Sequence, residues 1–249
     1  MKSVDIVIII VTIFFILVLF IKRFVYFQPS RQFIENMHNF QDIYEGNLHA
    51  WFKKGNQPIT ILFCHGNGGN VSYRQSKLAS LLNLGYSVLI FDYYGYGKSK
   101  GIPTEKYCFR SADIFVSFLL RNGVSKNNIV PYGESLGASV ASYIATKYNF
   151  PYLILESSFP GVRNYLPKLL KPLSLIFCEF NTERELENYK GKTLLIHSVH
   201  DEIVPFNTIS NLKPKAAKLV TITGSHNDPV IDWTEIELFL KPLINGTAL

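Results

Sequence analysis

The sequence Gly-Glu-Ser-Leu-Gly over 133–137 places a serine between two glycines, where a predicted strand over 128–132 meets a predicted helix over 135–147. A tight strand-to-helix turn holds such a serine in a strained conformation with its hydroxyl exposed, and the glycines relieve crowding around it. The free N–H groups at the start of the helix then stabilise negative charge beside the hydroxyl. We therefore predict that Ser135 is a nucleophile. The alternative is a glycine-rich helix start with no chemistry.

A serine hydroxyl needs a base, and that base needs an acid to orient it. Asp201 is the only aspartate between Ser135 and the last histidine, His226. Each of the two follows a predicted strand, so both are expected at the same edge of the sheet as the serine. Glu156 also ends a predicted strand and remains an alternative acid.

Acyl transfer also needs hydrogen-bond donors for the oxyanion. The loop over 65–70 follows the first predicted parallel strand, which is where one backbone donor is expected, and Asn67 is the predicted donor. Leu136, the residue after the nucleophile, is predicted to give the other. A phosphate-binding loop is less consistent with this segment, because the Gly-Lys-Ser/Thr ending is missing.

The elements that position these residues alternate along the chain. Short apolar runs predict strands over 59–64, 87–91, 128–132, 152–155, 193–197 and 219–223. Helical spacing of apolar residues predicts helices over 70–84, 106–121, 135–147 and 230–240. This alternation predicts an α/β fold with a mostly parallel central sheet and helices on both faces. A proline-punctuated interval predicts a cap insertion at about 157–191, over the carboxyl edge of the sheet.

The amino-terminal end has a different character. Residues 6–21 contain no charged residue, and their 16 residues would span about 24 Å as a helix. We expect an uncleaved single-pass membrane anchor over 1–24, followed by one domain over 25–249. Lys22 and Arg23 follow the apolar run and favour a cytosolic position for the domain. Glycosylation sequons at Asn70 and Asn245 would allow the opposite side.

Charge and cysteine content exclude other classes of function. The net charge is +6, but no run of five Lys or Arg residues appears, so the basicity does not indicate a nucleic-acid partner. Three cysteines are too few and too scattered for a disulfide framework or a zinc site.

At these residues the chain resembles the α/β-hydrolase superfamily, and more narrowly the single-pass, membrane-anchored hydrolases whose relatives include protein depalmitoylases. The matching segments lie at 65–70, 92–97, 133–137, 201–205 and 225–228. The resemblance implies that Ser135, Asp201 and His226 form a catalytic triad, and that Asn67 and Leu136 lend backbone donors. It also implies hydrolysis of an ester or thioester, on acylated lipid or protein at a bilayer, with no metal or organic cofactor.

Two departures from the family pattern stand out. Pro131 interrupts the strand before the nucleophile and removes one ladder donor. No cysteine-rich amino terminus is present, so targeting by palmitoylation is not implied.

Two other functions are compatible with the same residues. One is a serine peptidase of the same fold, although no charged cluster indicates a pocket for a free peptide end. The other is a catalytically inactive, membrane-tethered interaction protein, since fold and function can separate.

Overall fold

The computed structural model describes residues 26–162 and 180–246, together with residues 5, 8, 9, 12 and 13. Most of the predicted anchor and the middle of the predicted cap insertion therefore lie outside the described residues. Within the described part of the chain, no helix is long and apolar enough to cross a membrane.

The described strands are, in chain order, β1 (Gln28–Pro29), β2 (Gln41–Glu45), β3 (Leu48–Lys53), β4 (Thr60–Cys64), β5 (Gly68–Gly69), β6 (Ser87–Phe91), β7 (Ile129–Glu134), β8 (Tyr152–Glu156), β9 (Lys192–Ser198), β10 (Lys218–Gly224) and β11 (Pro229–Val230). Nine of them form the central sheet, in the spatial order β11-β10-β9-β8-β7-β4-β6-β3-β2, and β1 and β5 form a separate two-stranded sheet. The six strands β4 and β6 to β10 pair in parallel, whereas β2, β3 and β11 are antiparallel additions at the edges. The predicted mostly parallel sheet is confirmed.

Helices cover both faces of this sheet. They are α1 (Gln75–Asn83), α2 (Glu105–Arg121), α3 (Leu136–Tyr148), α4 (Thr182–Glu185) and α5 (Trp233–Ile244). Alternate residues of β4 point to opposite faces, so Leu62 packs in the cluster with α2 and α3 while Phe63 packs in the cluster with α1 and α5. Two apolar layers therefore fix the sheet from either side.

Two predicted helices differ from the observed ones at their amino-terminal ends. The helix predicted over 70–84 begins as a 3₁₀ turn, Val71–Arg74, before α1. The helix predicted over 230–240 begins later, because the Asp232 side chain accepts a hydrogen bond from the Thr234 N–H and caps α5.

Pro131 lies inside the sheet, as its place in the sequence suggested. It is in register with Leu62 of β4, and the pairing of β7 with β8 begins at the next residue, Tyr132. Pro131, which has no N–H to donate, therefore lies one residue before the part of β7 that pairs with β8.

Candidate active site

Ser135 occupies a strained turn between β7 and α3, with φ of +52° and ψ of −116°. Close packing explains the flanking glycines. A Cβ atom on Gly133 would lie 2.5 Å from the Cα of Ala138, and one on Gly137 would lie 2.0 Å from the carbonyl oxygen of Cys64. The Ser135 N–H donates to the Glu156 carbonyl at 2.9 Å, which ties the turn to β8. The turn therefore holds its conformation despite the strain.

The structure brings Ser135, His226 and Asp201 together from three separate strand ends. The Nε2 atom of His226 lies 3.0 Å from the Ser135 Oγ atom. The Nδ1 atom of His226 lies 2.8 Å from Oδ2 of Asp201 and 3.0 Å from its Oδ1. These contacts form one continuous series from hydroxyl to imidazole to carboxylate, which is the geometry that a base-activated serine requires.

The carboxylate of Asp201 is held charged in a nearly buried position, with the residue 5% exposed. Its Oδ1 atom accepts hydrogen bonds from the N–H groups of Ile203 at 3.0 Å and Val204 at 2.7 Å. Burial alone would raise the pKa of Asp201, but the hydrogen bonds from His226 and Val204 outweigh it and lower that pKa below its ordinary value. Asp201 is therefore a fixed anion facing the imidazole.

The loop that carries His226 is fixed at both of its sides. Gly224 has φ of +96°, and its carbonyl accepts a hydrogen bond from the Ser198 hydroxyl. The N–H of His226 donates to Oε2 of Glu202 at 3.0 Å. Sequence reasoning missed Glu202, because an exposed acid beside a predicted catalytic aspartate carries no signal of a partner 24 residues away.

Glu156, the alternative acid, has other partners. Its Oε2 atom accepts a hydrogen bond from the Tyr132 hydroxyl at 2.7 Å, and its Oε1 atom pairs with the Lys77 ammonium. The imidazole of His226 is instead bonded to Asp201. The geometry does not support Glu156 as the orienting acid.

A buried charge network lies directly behind the nucleophile turn, and it was not visible in the sequence. Glu134, the residue before Ser135, pairs through Oε1 with Arg74 at 2.7 Å and through Oε2 with Lys77 at 2.9 Å. Burial would raise the pKa of Glu134, but the two cations outweigh it and hold that pKa well below its ordinary range. With Glu156, the network contains two positive and two negative groups.

The predicted oxyanion loop has its carbonyl groups occupied by fixed donors. Tyr93 and Tyr96 donate through their hydroxyls to the carbonyls of His65 and Asn67, each at 2.8 Å. The His65 Nδ1 atom lies 2.7 Å from the Gly66 carbonyl. Among the described residues, none accepts a hydrogen bond from the N–H of Asn67 or of Leu136. Both N–H groups are therefore candidate donors to an incoming oxyanion.

Asp92, at the end of β6, fixes the adjacent glycine-rich turn. Its carboxylate accepts from the N–H groups of Val71 at 3.0 Å and Lys98 at 3.2 Å. It also contacts the buried imidazole of His49 at 2.7 Å, and the other nitrogen of that ring contacts Asp42. The bond from Val71 to Asp92 holds the first residue of the 3₁₀ turn that follows the oxyanion loop.

A cavity of about 1010 Å³ opens above Ser135. Among the described residues, its wall combines Asn67, Leu136 and His226 with apolar side chains. The apolar residues are Phe159, Val162, Ile203, Val204, Ile231 and Trp233. Within the described part of the chain, no group of three or more His, Cys, Asp or Glu side chains is arranged to hold a metal ion. The cavity can accept a sizeable group with apolar parts beside the serine.

Known proteins share this architecture. A family described as "alpha/beta hydrolase fold" matches residues 59–162. An uncharacterized membrane protein of Saccharomyces cerevisiae is 34% identical over 212 residues, which cover 78% of this chain and 75% of the yeast protein. The Pyrococcus furiosus esterase Pf2001 superposes with a TM-score of 0.71 at 21% identity, covering 88% of this chain and 98% of the esterase. The thioesterase domain from the curacin biosynthetic pathway gives a TM-score of 0.59 at 13% identity, covering 84% of this chain and 96% of that domain. The fold, the family match and the yeast relative together show that this chain belongs to the α/β-hydrolase fold family.

Proposed function

We propose that the protein is a serine hydrolase that cleaves carboxylic ester or thioester bonds through an acyl-enzyme. The observation that carries the proposal is the hydrogen-bonded series from Ser135 Oγ to His226 Nε2 at 3.0 Å, and from His226 Nδ1 to Asp201 at 2.8 Å. A scaffold has no physical need for these three side chains at separate strand ends in this geometry.

The first half of the reaction forms the acyl-enzyme. His226 takes the proton of Ser135 as the serine oxygen attacks the carbonyl carbon, and Asp201 stabilises the imidazolium. The negative charge on the tetrahedral oxygen is stabilised by the N–H groups of Asn67 and Leu136. When the intermediate collapses, the bond to the leaving group breaks, and the alcohol or thiol leaves with the proton from His226.

The second half regenerates the enzyme with water. His226 removes a proton from water as the water oxygen attacks the acyl carbon of the ester to Ser135. The same backbone groups stabilise the second tetrahedral oxygen. Collapse releases the carboxylic acid and returns the proton to Ser135, so no group besides water is consumed.

A membrane-associated, acylated substrate fits the remaining observations. The cavity wall has an apolar part, which suits an acyl chain, and a polar part that includes Arg74, Lys77 and Glu134. The apolar run at 6–21 is predicted to anchor the chain, and the yeast relative is named as a membrane protein. Basic residues after that run favour a cytosolic domain. An esterase and a thioesterase domain are both similar in fold, in keeping with either kind of bond.

Labelling with a fluorescent fluorophosphonate tests the proposal on the full chain in detergent. We expect wild type to be labelled and Ser135→Ala to be unlabelled. Ser139→Ala is the matched control, because this buried serine lies one turn along α3 and should leave labelling unchanged. A folded wild type without labelling would refute the proposal and favour an inactive interaction protein.

A further inference from the structure

The segment that follows the predicted anchor is bonded directly to the oxyanion loop. We call residues 26–32 the strap. Its strand β1 pairs in parallel with β5 of that loop. The N–H of Gln28 donates to the Asn67 carbonyl at 3.1 Å, and the N–H of Ser30 donates to the Gly69 carbonyl at 3.0 Å. Pro29 stands between these two donors, at a position where the ladder uses no N–H.

Phe27 and Arg31, which belong to the strap but lie outside β1, contact the rest of the domain. Phe27 is buried and packs edge-on against Phe180, with ring centroids 5.9 Å apart. Arg31 donates through Nη1 to the carbonyl of Gly97 at 2.7 Å. The strap is therefore part of the packed domain and cannot shift without breaking these contacts.

Asn70 clamps the other side of the strap. Its Nδ2 atom donates to the carbonyls of Ser30 at 3.1 Å and Gln32 at 2.7 Å. Its Oδ1 atom accepts from the N–H of Ser72 at 2.9 Å, which caps the 3₁₀ turn. Asn70 is fully buried, with 0% exposure. A single side chain thus joins the strap to the end of the oxyanion loop.

The position of the Asn67 N–H depends on the two peptide planes that flank Asn67. One plane contains the Gly66 carbonyl, which is held by His65. The other contains the Asn67 carbonyl, which receives both the Gln28 N–H and the Tyr96 hydroxyl. The Asn67 N–H lies in the first plane, opposite the Gly66 carbonyl, and holding the second plane restricts rotation about the Cα atom that joins the two planes. The neighbouring glycines would otherwise allow the loop to rotate.

We propose that the strap is a positioning element of the oxyanion loop, with Gln28, Ser30 and Asn70 as positioning residues for the Asn67 N–H. This rests on the proposed function, in which that N–H stabilises the oxyanion. The strap begins five residues after the apolar run at 6–21, so the predicted anchor lies close in sequence to the segment that is bonded to the oxyanion loop.

A pair of proline substitutions in the full chain tests this role. Gln28→Pro removes one donor to the oxyanion loop. Because Gln28 also lines the cavity, Gln28→Ala, which keeps the N–H, is measured beside it and should retain the wild-type kcat. Gln57→Pro is a matched control, because Gln57 also precedes a proline and also donates its N–H to a loop carbonyl, that of Gly85 at 2.8 Å. Asn70→Asp is a second test that keeps the acceptor for Ser72 and removes both donors to the strap.

Two readouts separate positioning from general stability. With p-nitrophenyl butyrate, we expect Gln28→Pro and Asn70→Asp to lower kcat about tenfold or more and to keep KM within about twofold, because the oxyanion forms only in the transition state. Amide exchange over residues 65–72 should become faster in both variants. Gln57→Pro should change neither kcat nor exchange in that loop.

Equal kcat in Gln28→Pro, Asn70→Asp and Gln57→Pro would overturn the proposal, and so would unchanged exchange over residues 65–72. A wild type that neither hydrolyses the ester nor takes the fluorophosphonate label would instead refute the proposed function. In that case amide exchange still decides whether the strap holds the loop.

Discussion

Arg74 provides the sharpest test of the buried charge network. Its guanidinium joins Glu134, beside the nucleophile, to the Gly68 carbonyl of the oxyanion loop at 2.6 Å. The side chains of Arg74 and Glu134 are each only 13% exposed. Arg74→Met keeps a long apolar side chain but removes the charge and every donor. It leaves two buried carboxylates facing one ammonium, that of Lys77.

The expected loss of folding stability in Arg74→Met arises because the Glu134 carboxylate loses one of its two cations. Removing one partner of a buried ion pair costs about 3–5 kcal/mol. Lys77 still neutralises part of the charge on Glu134, so we expect the lower end, about 3 kcal/mol. For a domain of this size, that corresponds to a fall in Tm of about 6–12 °C. Thermal unfolding followed by circular dichroism measures it.

The pH dependence of this loss has a definite sign. Arg74 helps to depress the pKa of Glu134 in the folded state, so the pair stabilises the fold above the ordinary carboxyl pKa. That stabilisation disappears as the pH falls through the folded-state pKa. We therefore expect the difference in unfolding free energy between wild type and Arg74→Met to be largest near neutral pH and to shrink in acid.

A double-mutant cycle with Glu134→Gln completes the test. The double variant should be less destabilised than the sum of the single variants by about 1–3 kcal/mol, because removing both partners leaves no unpaired charge between them. If the free-energy changes of the two single variants add to that of the double variant within about 0.5 kcal/mol, Arg74 and Glu134 do not stabilise the fold through each other.

Three further predictions concern the site itself. Asp201→Asn should lower kcat for a soluble ester by up to about 10⁴-fold, because it disturbs the tautomer of His226. If Glu156→Gln removes turnover and Asp201→Asn does not, the orienting acid is wrongly assigned. Ser135→Gly should melt about 2–4 °C above Ser135→Ala in calorimetry, since glycine relieves about 1 kcal/mol of backbone strain; equal Tm values would argue against strain. Burial, aided by the charge of Arg74, lowers the pKa of His65 to about 4, so the fold should lose stability as the pH falls below about 6.5. Urea unfolding at pH 7 and pH 5 should show a smaller loss in His65→Gln, and an equal loss would contradict this role.

The sequence predicted the parts of the site that depend on local pattern. The strand–helix alternation gives the sheet and both helical layers, since apolar periodicity reports which face of an element is buried. The glycine–serine turn was predictable because its backbone conformation restricts which residues can stand beside Ser135. Asp201 and His226 followed from chain order together with their places after two strands.

The parts that the sequence did not predict depend on contacts between distant residues. Arg74 and Glu134 are 60 residues apart, and neither lies in a pattern that points to the other. Strand β1 has two residues, too few for any alternation to appear, and its partner is a glycine loop. Such pairings are decided by tertiary packing and leave no periodic signal.

The burial of Asn70 has a consequence for covalent modification of this chain. Asn70-Val71-Ser72 is an acceptor sequence for an N-linked glycan, and the glycan would be attached to the Nδ2 atom that holds Ser30 and Gln32. A sugar on Nδ2 would replace one of its two hydrogens, so this atom could no longer donate to both carbonyls, and a sugar could not fit at a fully buried site. Glycosylation at Asn70 and the native contacts of this side chain are therefore mutually exclusive, and we expect a chain that carries a glycan at Asn70 not to reach this fold.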